Sequence, residues 1–234
     1  MPRRHLLLST SRTAGTAYLE HAADQLEWLL GERRKRILFI PYAAVRFSYD
    51  DYESMVAKGL PGHDVVSIHH FDLAADAFEG VEAIALGGGN TFQLVSQLYT
   101  HELLEPIRKR AQNGVPFLGW SAGSNVAGPK LSTTNDMPIV EPPSFQTLGL
   151  IPVQINPHYL DAHPDGHMGE TREERIEEFI ALNSEVPVIG LREGAMLKVD
   201  GNNMSLEGSK GAGLFRGNLD PQEFDPGADL SFLL

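Results

Sequence analysis

The chain has 234 residues, a formal net charge of −12 and no cysteine. The negative charge argues against a nucleic-acid partner, and the missing cysteines exclude disulfides, thiolate metal sites and a cysteine nucleophile. Hydrophobic residues make up 42% of the chain and charged residues 21%, a globular balance whose length suits one domain over residues 1–234. No apolar run reaches the length of a membrane span or a signal-peptide core, so we expect a cytoplasmic protein without membrane contact.

Short apolar strands alternate with helical patterns in the first half of the chain. Strands are predicted at His5–Ser9 and in RILFIPYA (36–43), DVVSI (64–68), VEAIALGGGN (81–90) and VPFLGWS (115–121). Helices are predicted at Thr16–Leu30, Tyr52–Gly59 and Glu102–Gln112, and another begins at Thr91. This alternation predicts an α/β fold with a mostly parallel sheet and helices on both faces.

The second half is less regular. PVQIN (152–156) and PVIGL (187–191) are strand candidates, and Thr171–Leu182 is a charged amphipathic helix. The stretch 195–208 indicates a C-terminal hairpin that turns around Asp200-Gly201. The last residues, from 218 onward, are predicted to be loop and tail.

The stretch GWSAGS (119–124) follows one of the apolar strands. Its G-x-S-x-G pattern fits a nucleophile elbow, in which a strand turns sharply into a helix and exposes the serine hydroxyl. Ser121 is therefore a candidate nucleophile, and the competing interpretation is an ordinary glycine-rich turn. The carboxyl ends of parallel strands are where sites form in such sheets, and the glycines at 87–89 stand at another such end.

A serine nucleophile needs a base, which is most often histidine. His158 follows the strand VQIN, and the tail after it is rich in acids, so an order of serine, histidine and acid suits the chain. His158, His163 and His167 also invite a metal interpretation. Their spacing matches no familiar metal motif, and Pro164 and Gly166 break any helix that would align them, so we predict no metal.

Six stretches together resemble the peptidase E family of aspartyl dipeptidases. They are GGGNTFQL (87–94), GWSAGSN (119–125), TTNDMPIV (133–140), QINPH (154–158), GETREERI (169–176) and IGLREG (189–194). The resemblance implies a fold like that of class I glutamine amidotransferases, no cofactor, and cleavage after the N-terminal aspartate of small peptides, chiefly dipeptides. It also implies a triad of Ser121, His158 and Glu193.

The oxyanion of such a reaction needs backbone donors. The N–H of Ala122, directly after the nucleophile, is one candidate, and Gly89 is the preferred second donor from the glycine loop. The expected partner is a small peptide substrate. The sequence leaves open whether the protein forms a homodimer.

Substrate recognition is expected to depend on Arg172. Thr171 and Glu174 form a capping-box signature, so Arg172 lies in the first helical turn, where a cation and a helix N-terminus together favour an anion. Arg46 is the rival carboxylate receptor. The substrate amine has four candidate partners: Asn90, Asn135, Asp136 and Glu170.

Two other functions remain open at this point. One is a related serine hydrolase that cleaves a different aspartyl bond, such as that of the branched aspartate–arginine polymer cyanophycin. The other is a ligand-binding module that keeps the fold and has lost the chemistry, against which the presence of all three triad residues argues.

Overall fold

A computed structural model describes residues 2–161, 168–217 and 219–234. The strands are β1 (Arg4–Leu8), β2 (Arg36–Ile40), β3 (Asp64–Ser67), β4 (Ala83–Leu86), β5 (Phe117–Trp120), β6 (Gln154–Tyr159), β7 (Val188–Arg192), β8 (Ala195–Asp200), β9 (Asn203–Gly208), β10 (Ala212–Phe215) and β11 (Gln222–Phe224). The helices are α1 (Ala23–Leu30), α2 (Tyr49–Gly59), α3 (Ala74–Ala77), α4 (Thr91–Thr100), α5 (Leu104–Gln112), α6 (Ala122–Asn125) and α7 (Arg172–Leu182).

A seven-stranded sheet forms the centre, in the order β3-β2-β4-β5-β1-β8-β9. The strands from β3 to β1 are parallel to one another, and the β8–β9 hairpin continues the sheet antiparallel to β1. One face packs on α1 and α2 through residues such as Leu6 and Phe39. The other packs on α4 and α5 through residues such as Leu38 and Leu86. The predicted α/β fold with helices on both faces is confirmed.

A second sheet holds the later strands in the order β11-β10-β7-β6. Strands β6 and β7 are parallel and are connected through α7, whereas β10 is antiparallel to β7 and to β11. Ile155 and Leu191 of this sheet belong to the same buried cluster as Leu7 and Leu86 of the large sheet. The two sheets therefore share a continuous core.

The predicted helix Thr16–Leu30 is wrong in its first half. The α-helix begins only at Ala23, after a short 3-10 turn over Glu20–Ala22. Leu19 breaks the pattern because it adopts φ 62°, a left-handed conformation, with its side chain fully buried. The buried residues of this stretch, Leu19, Ala22, Leu26, Leu29 and Leu30, therefore lie on a turn followed by a helix.

The C-terminal hairpin is confirmed, with a small correction to its turn. Asp200 pairs with Asn203, so the two-residue loop is Gly201-Asn202, and Gly201 supplies the positive φ that this turn requires. The tail was wrongly predicted to be loop throughout, because β11 pairs there with β10 and a 3-10 turn covers Ser231–Leu233. None of the helices within the described residues is long and apolar enough to cross a membrane.

Candidate active site

Ser121 lies at the sharp turn between β5 and α6. Its φ of 52° and ψ of −116° are unusual for a residue with a side chain, and such conformations cost about 1–3 kcal/mol. The flanking glycines make the turn feasible. A Cβ on Gly119 would lie 2.7 Å from the carbonyl oxygen of Gly123, and a Cβ on Gly123 would lie 2.2 Å from that of Leu86. Packing around the elbow therefore requires both glycines of the G-x-S-x-G pattern.

His158 lies within β6 rather than after it, which corrects the sequence interpretation. The pairing of β6 with β7 shifts register between Pro157 and Tyr159, so His158 occupies a bulge, with φ 55°. Its backbone N–H donates to the hydroxyl of Ser9 at 2.9 Å, and that buried hydroxyl donates to the carbonyl of Leu191 at 2.8 Å. The bulge turns the imidazole away from the regular alternation of the strand.

The structure brings Ser121, His158 and Glu193 into one hydrogen-bonded chain. The Nε2 of His158 is 2.9 Å from the Oγ of Ser121, and its Nδ1 is 2.8 Å from the Oε1 of Glu193. Glu193 directly follows β7, so the carboxylate is at the end of a strand. These separations are those of a nucleophile, a base and an orienting acid.

The glycine loop approaches the serine closely. A Cβ on Gly88 would lie 2.9 Å from the Cβ of Ser121. The hydroxyl of Tyr52, from α2, donates to the carbonyl of Gly88 at 3.0 Å and accepts from the indole N–H of Trp120, also at 3.0 Å. Because a trans peptide holds its N–H opposite its C=O, this bond directs the N–H of Gly89 away from Tyr52. Sequence reasoning missed Tyr52, which lies in a helix far from every recognised motif.

The loop with Asn135 and Asp136 joins the glycine loop to β6. One carboxylate oxygen of Asp136 accepts from the backbone N–H of Thr91 at 2.7 Å, from its hydroxyl at 2.5 Å and from the hydroxyl of Thr134 at 3.0 Å. The side chain of Asn135 donates to the carbonyl of Pro157 at 2.7 Å, directly before His158. This loop therefore connects the start of α4 to β6.

Three of the four candidates for binding the substrate amine already have structural partners. Asn90 caps α4 with its oxygen and donates to the carbonyl of Met137. The oxygen of Asn135 accepts from Asn156 at 2.8 Å, and the exposed Glu170 lies 3.6 Å from Arg175. Asp136 keeps a second carboxylate oxygen that has no hydrogen bond to any of the described residues.

Arg172 is the first residue of α7, and Thr171 and Glu174 form the predicted capping box. Burial lowers the pKa of the Arg172 guanidinium, as does the neighbouring Arg175, while Asp136 opposes them. A guanidinium remains charged under such shifts. Arg172 forms no hydrogen bond or ion pair with the described part of the chain, and its side chain lies within electrostatic reach of Asp136. The rival Arg46 is exposed.

Two members of the alternative metal cluster, His163 and His167, lie outside the described residues. Its third member, His158, has both ring nitrogens paired, one with Ser121 and the other with Glu193.

Solved structures resemble the whole fold. A peptidase from an acI-B1 actinobacterium superposes with a TM-score of 0.74 at 17% identity, covering 99% of this chain and 98% of the other. A putative peptidase E protein from Listeria monocytogenes superposes with a TM-score of 0.67 at 18% identity, covering 90% of this chain and 100% of the other. At these identities the likeness concerns the fold.

Sequence comparison is more specific. A protein named peptidase E from a Nostoc species is 45% identical to this chain, and the alignment covers 100% of this chain and 98% of the relative. A protein named peptidase E from Streptomyces coelicolor is 48% identical, and the alignment covers 98% of this chain and 94% of the relative. The sequence model of peptidase family S51 matches residues 5–207, which include all three residues of the hydrogen-bonded chain. The chain therefore belongs to peptidase family S51 and is a serine peptidase.

Proposed function

We propose that this peptidase removes an N-terminal aspartate from small peptides, chiefly Asp-X dipeptides, through a triad of Ser121, His158 and Glu193. The Oγ of Ser121 attacks the scissile carbonyl while Nε2 of His158 takes its proton. The same proton then goes to the leaving amine, and water, activated by His158, releases the aspartyl group from Ser121. Glu193 orients the ring through Nδ1 and stabilises its charged form. The hydrogen bonds of 2.9 Å and 2.8 Å that connect the three residues are the observation that carries this proposal.

The oxyanion is stabilised by the backbone N–H groups of Ala122 and Gly89. Ala122 is the first residue of α6, so its N–H has no acceptor within the helix. Gly89 follows the peptide that Tyr52 fixes, and its loop is in contact distance of Ser121 through Gly88. Donors that are fixed before the reaction are typically worth about 100- to 1,000-fold in kcat each.

Specificity for aspartate comes from Arg172 and Asp136. An N-terminal aspartate carries its ammonium and its side-chain carboxylate close together, and a neighbouring anion and cation complement this pair of charges. Arg172 receives the carboxylate and the second oxygen of Asp136 receives the ammonium. A planar guanidinium binds a carboxylate through two parallel hydrogen bonds, which fixes its position relative to Ser121.

The remaining properties follow from the same assignment. We place the reaction in the cytoplasm, in a single hydrolytic domain over residues 1–234, with no nucleic-acid partner, and a homodimer is compatible with it.

A dipeptide panel tests the proposal. Asp-Leu, Asn-Leu, Glu-Leu and Ala-Leu are compared by kcat/KM, and the branched Asp–Arg polymer is assayed in parallel. Asp-Leu is expected to be cleaved well above the other three, and Ser121→Ala is expected to lose nearly all turnover while remaining folded. Equal cleavage of Asn-Leu and Asp-Leu would refute the charge-based specificity, and release of dipeptides from the polymer would redirect the assignment to a cyanophycin hydrolase.

A further inference from the structure

Two histidines and two carboxylates meet at the end of β3. His69 and His70 lie in the 3-10 turn Ile68–His70, and Asp50 and Glu53 lie one turn apart in α2. The Nε2 of His69 is 3.0 Å from the Oδ1 of Asp50, and the Nε2 of His70 is 2.7 Å from the Oε2 of Glu53. The Nε2 of His70 is also 4.0 Å from the Oδ1 of Asp50. None of the four residues belongs to the triad.

We propose that Asp50, His69 and His70 of this cluster bind one divalent transition-metal ion, with Zn²⁺ preferred. Zinc bonds of about 2.0–2.1 Å in a tetrahedron place neighbouring ligand atoms roughly 3.4 Å apart. The Oδ1 of Asp50 lies 3.0 Å from the Nε2 of His69 and 4.0 Å from the Nε2 of His70, and these two separations bracket that value. Ligand atoms of Asp50, His69 and His70 all lie within 4.8 Å of one another. Two imidazoles and a carboxylate form a donor set that suits zinc.

Ser67 contacts two residues of the cluster, His69 and Glu53, from a fully buried position. Its hydroxyl is 2.6 Å from the Nδ1 of His69, and its backbone N–H donates to the Oε1 of Glu53 at 2.6 Å. A neutral His69 that donates from Nδ1 to this hydroxyl presents the lone pair of Nε2 to the cluster. Metal-binding histidines usually have such a partner on the other nitrogen. His69 is only 19% exposed, so its position is constrained before an ion arrives, whereas Asp50 is 76% exposed.

The ion would connect the first turn of α2 to the end of β3. Strand β3 is at the edge of the large sheet, where it pairs only with β2 among the described strands. A metal ion that binds the folded state alone raises its stability by mass action. We therefore infer a structural site, whose occupancy changes the melting temperature and leaves the chemistry at Ser121 untouched.

Zinc titration of the full chain tests this site. The protein is first dialysed against EDTA and then titrated calorimetrically with ZnCl₂, and Co²⁺ is added separately to read tetrahedral coordination from its visible absorption. The variants are His70→Asn, which removes a ligand, and Ser67→Ala, which removes an orienting partner. The matched control is the double variant His163→Asn/His167→Asn, which removes the two histidines of the alternative metal interpretation. Melting in EDTA establishes that each variant is folded.

Wild type and the double variant are expected to bind one Zn²⁺ with equal affinity and to melt at a higher temperature with zinc. Ser67→Ala is expected to bind about 10- to 100-fold more weakly, the usual effect of removing an outer partner, and His70→Asn at least as weakly. The absence of one-to-one binding in the wild type would overturn the proposal. It would equally be overturned if folded His70→Asn bound zinc like the wild type, or if the double variant alone lost binding.

Discussion

Replacing Tyr52 with phenylalanine removes one hydroxyl that connects two buried groups. The hydroxyl donates to the carbonyl of Gly88 and accepts from the indole of Trp120, both at 3.0 Å. Burial raises the pKa of Tyr52 well above its usual range, so the hydroxyl keeps its proton and remains a donor. Each of the two buried partners left without a hydrogen bond costs about 1–3 kcal/mol, so Tyr52→Phe should lose roughly 2–6 kcal/mol of unfolding free energy.

The kinetic effect should be larger on kcat than on KM. Without the hydroxyl, the carbonyl of Gly88 loses its hydrogen bond, and the N–H of Gly89 in the same peptide is held less firmly in one direction. A displacement of about 1 Å at a reacting centre can cost on the order of a hundredfold. We therefore expect kcat for Asp-Leu to fall by about 10- to 100-fold with KM changed by less than about threefold.

The matched control is Tyr49→Phe. Tyr49 is on the same helix, and its ring packs beside Tyr42 and His69 rather than beside the glycine loop. Like Tyr52→Phe, Tyr49→Phe removes only a hydroxyl. Hydrolysis of Asp-Leu is followed by release of leucine at temperatures where all three proteins are folded. The reasoning is refuted if Tyr52→Phe keeps the kcat of the wild type, or if Tyr49→Phe loses as much.

Three further predictions concern other parts of the chain. Arg172→Ala should strongly reduce kcat/KM for Asp-Leu and narrow the ratio of kcat/KM between Asp-Leu and Asn-Leu. Arg172→Lys should recover only part of this loss because an ammonium lacks the planar fork of the guanidinium. An unchanged ratio in Arg172→Ala would make Arg46 the next candidate for the carboxylate receptor. Treatment with EDTA should leave kcat unaltered, because no step of the proposed mechanism uses a metal, and a loss of activity that zinc restores would contradict this. Burial lowers the pKa of His5 to about 4, below the value of about 6.5 in an unfolded chain. As the pH falls, His5 therefore takes up a proton in the unfolded state before it does so in the folded state. The free energy of unfolding should drop between about pH 6.5 and 4 by up to roughly 3 kcal/mol more in the wild type than in His5→Leu. Urea unfolding at several pH values measures this difference.

The parts of the fold that the sequence predicted are those that local patterns determine. Apolar runs marked the parallel strands, Thr171 and Glu174 marked the start of α7, and the glycines around Ser121 marked the elbow. Each of these signals acts within a few residues. Leu19 shows the limit of such signals, because the helical periodicity continues through a buried residue whose backbone is left-handed and therefore not helical.

The parts that it missed depend on contacts between distant segments. Ser9 and His158 are separated by 149 positions, and Trp120 and Tyr52 by 68. A serine at the end of one strand and a tyrosine in an amphipathic helix look ordinary in a sequence. Their roles appear only when the sheet brings strand ends together. The same holds for the histidine pair 69–70, whose carboxylate partners come from a different element.

The end of β1 connects all three residues of the proposed triad. The carbonyl of Leu8 accepts the backbone N–H of Ser121 at 3.1 Å, while the hydroxyl of Ser9 contacts the backbone of His158 and of Leu191, two residues before Glu193. Ser121 and His158 both have positive φ, and such strain persists only where the surroundings determine it. Two adjacent buried residues at the centre of the sheet therefore hold segments from three different strands, two of which contain a residue with positive φ. This explains how 2.8–2.9 Å contacts form between side chains that are half exposed at the surface of the protein.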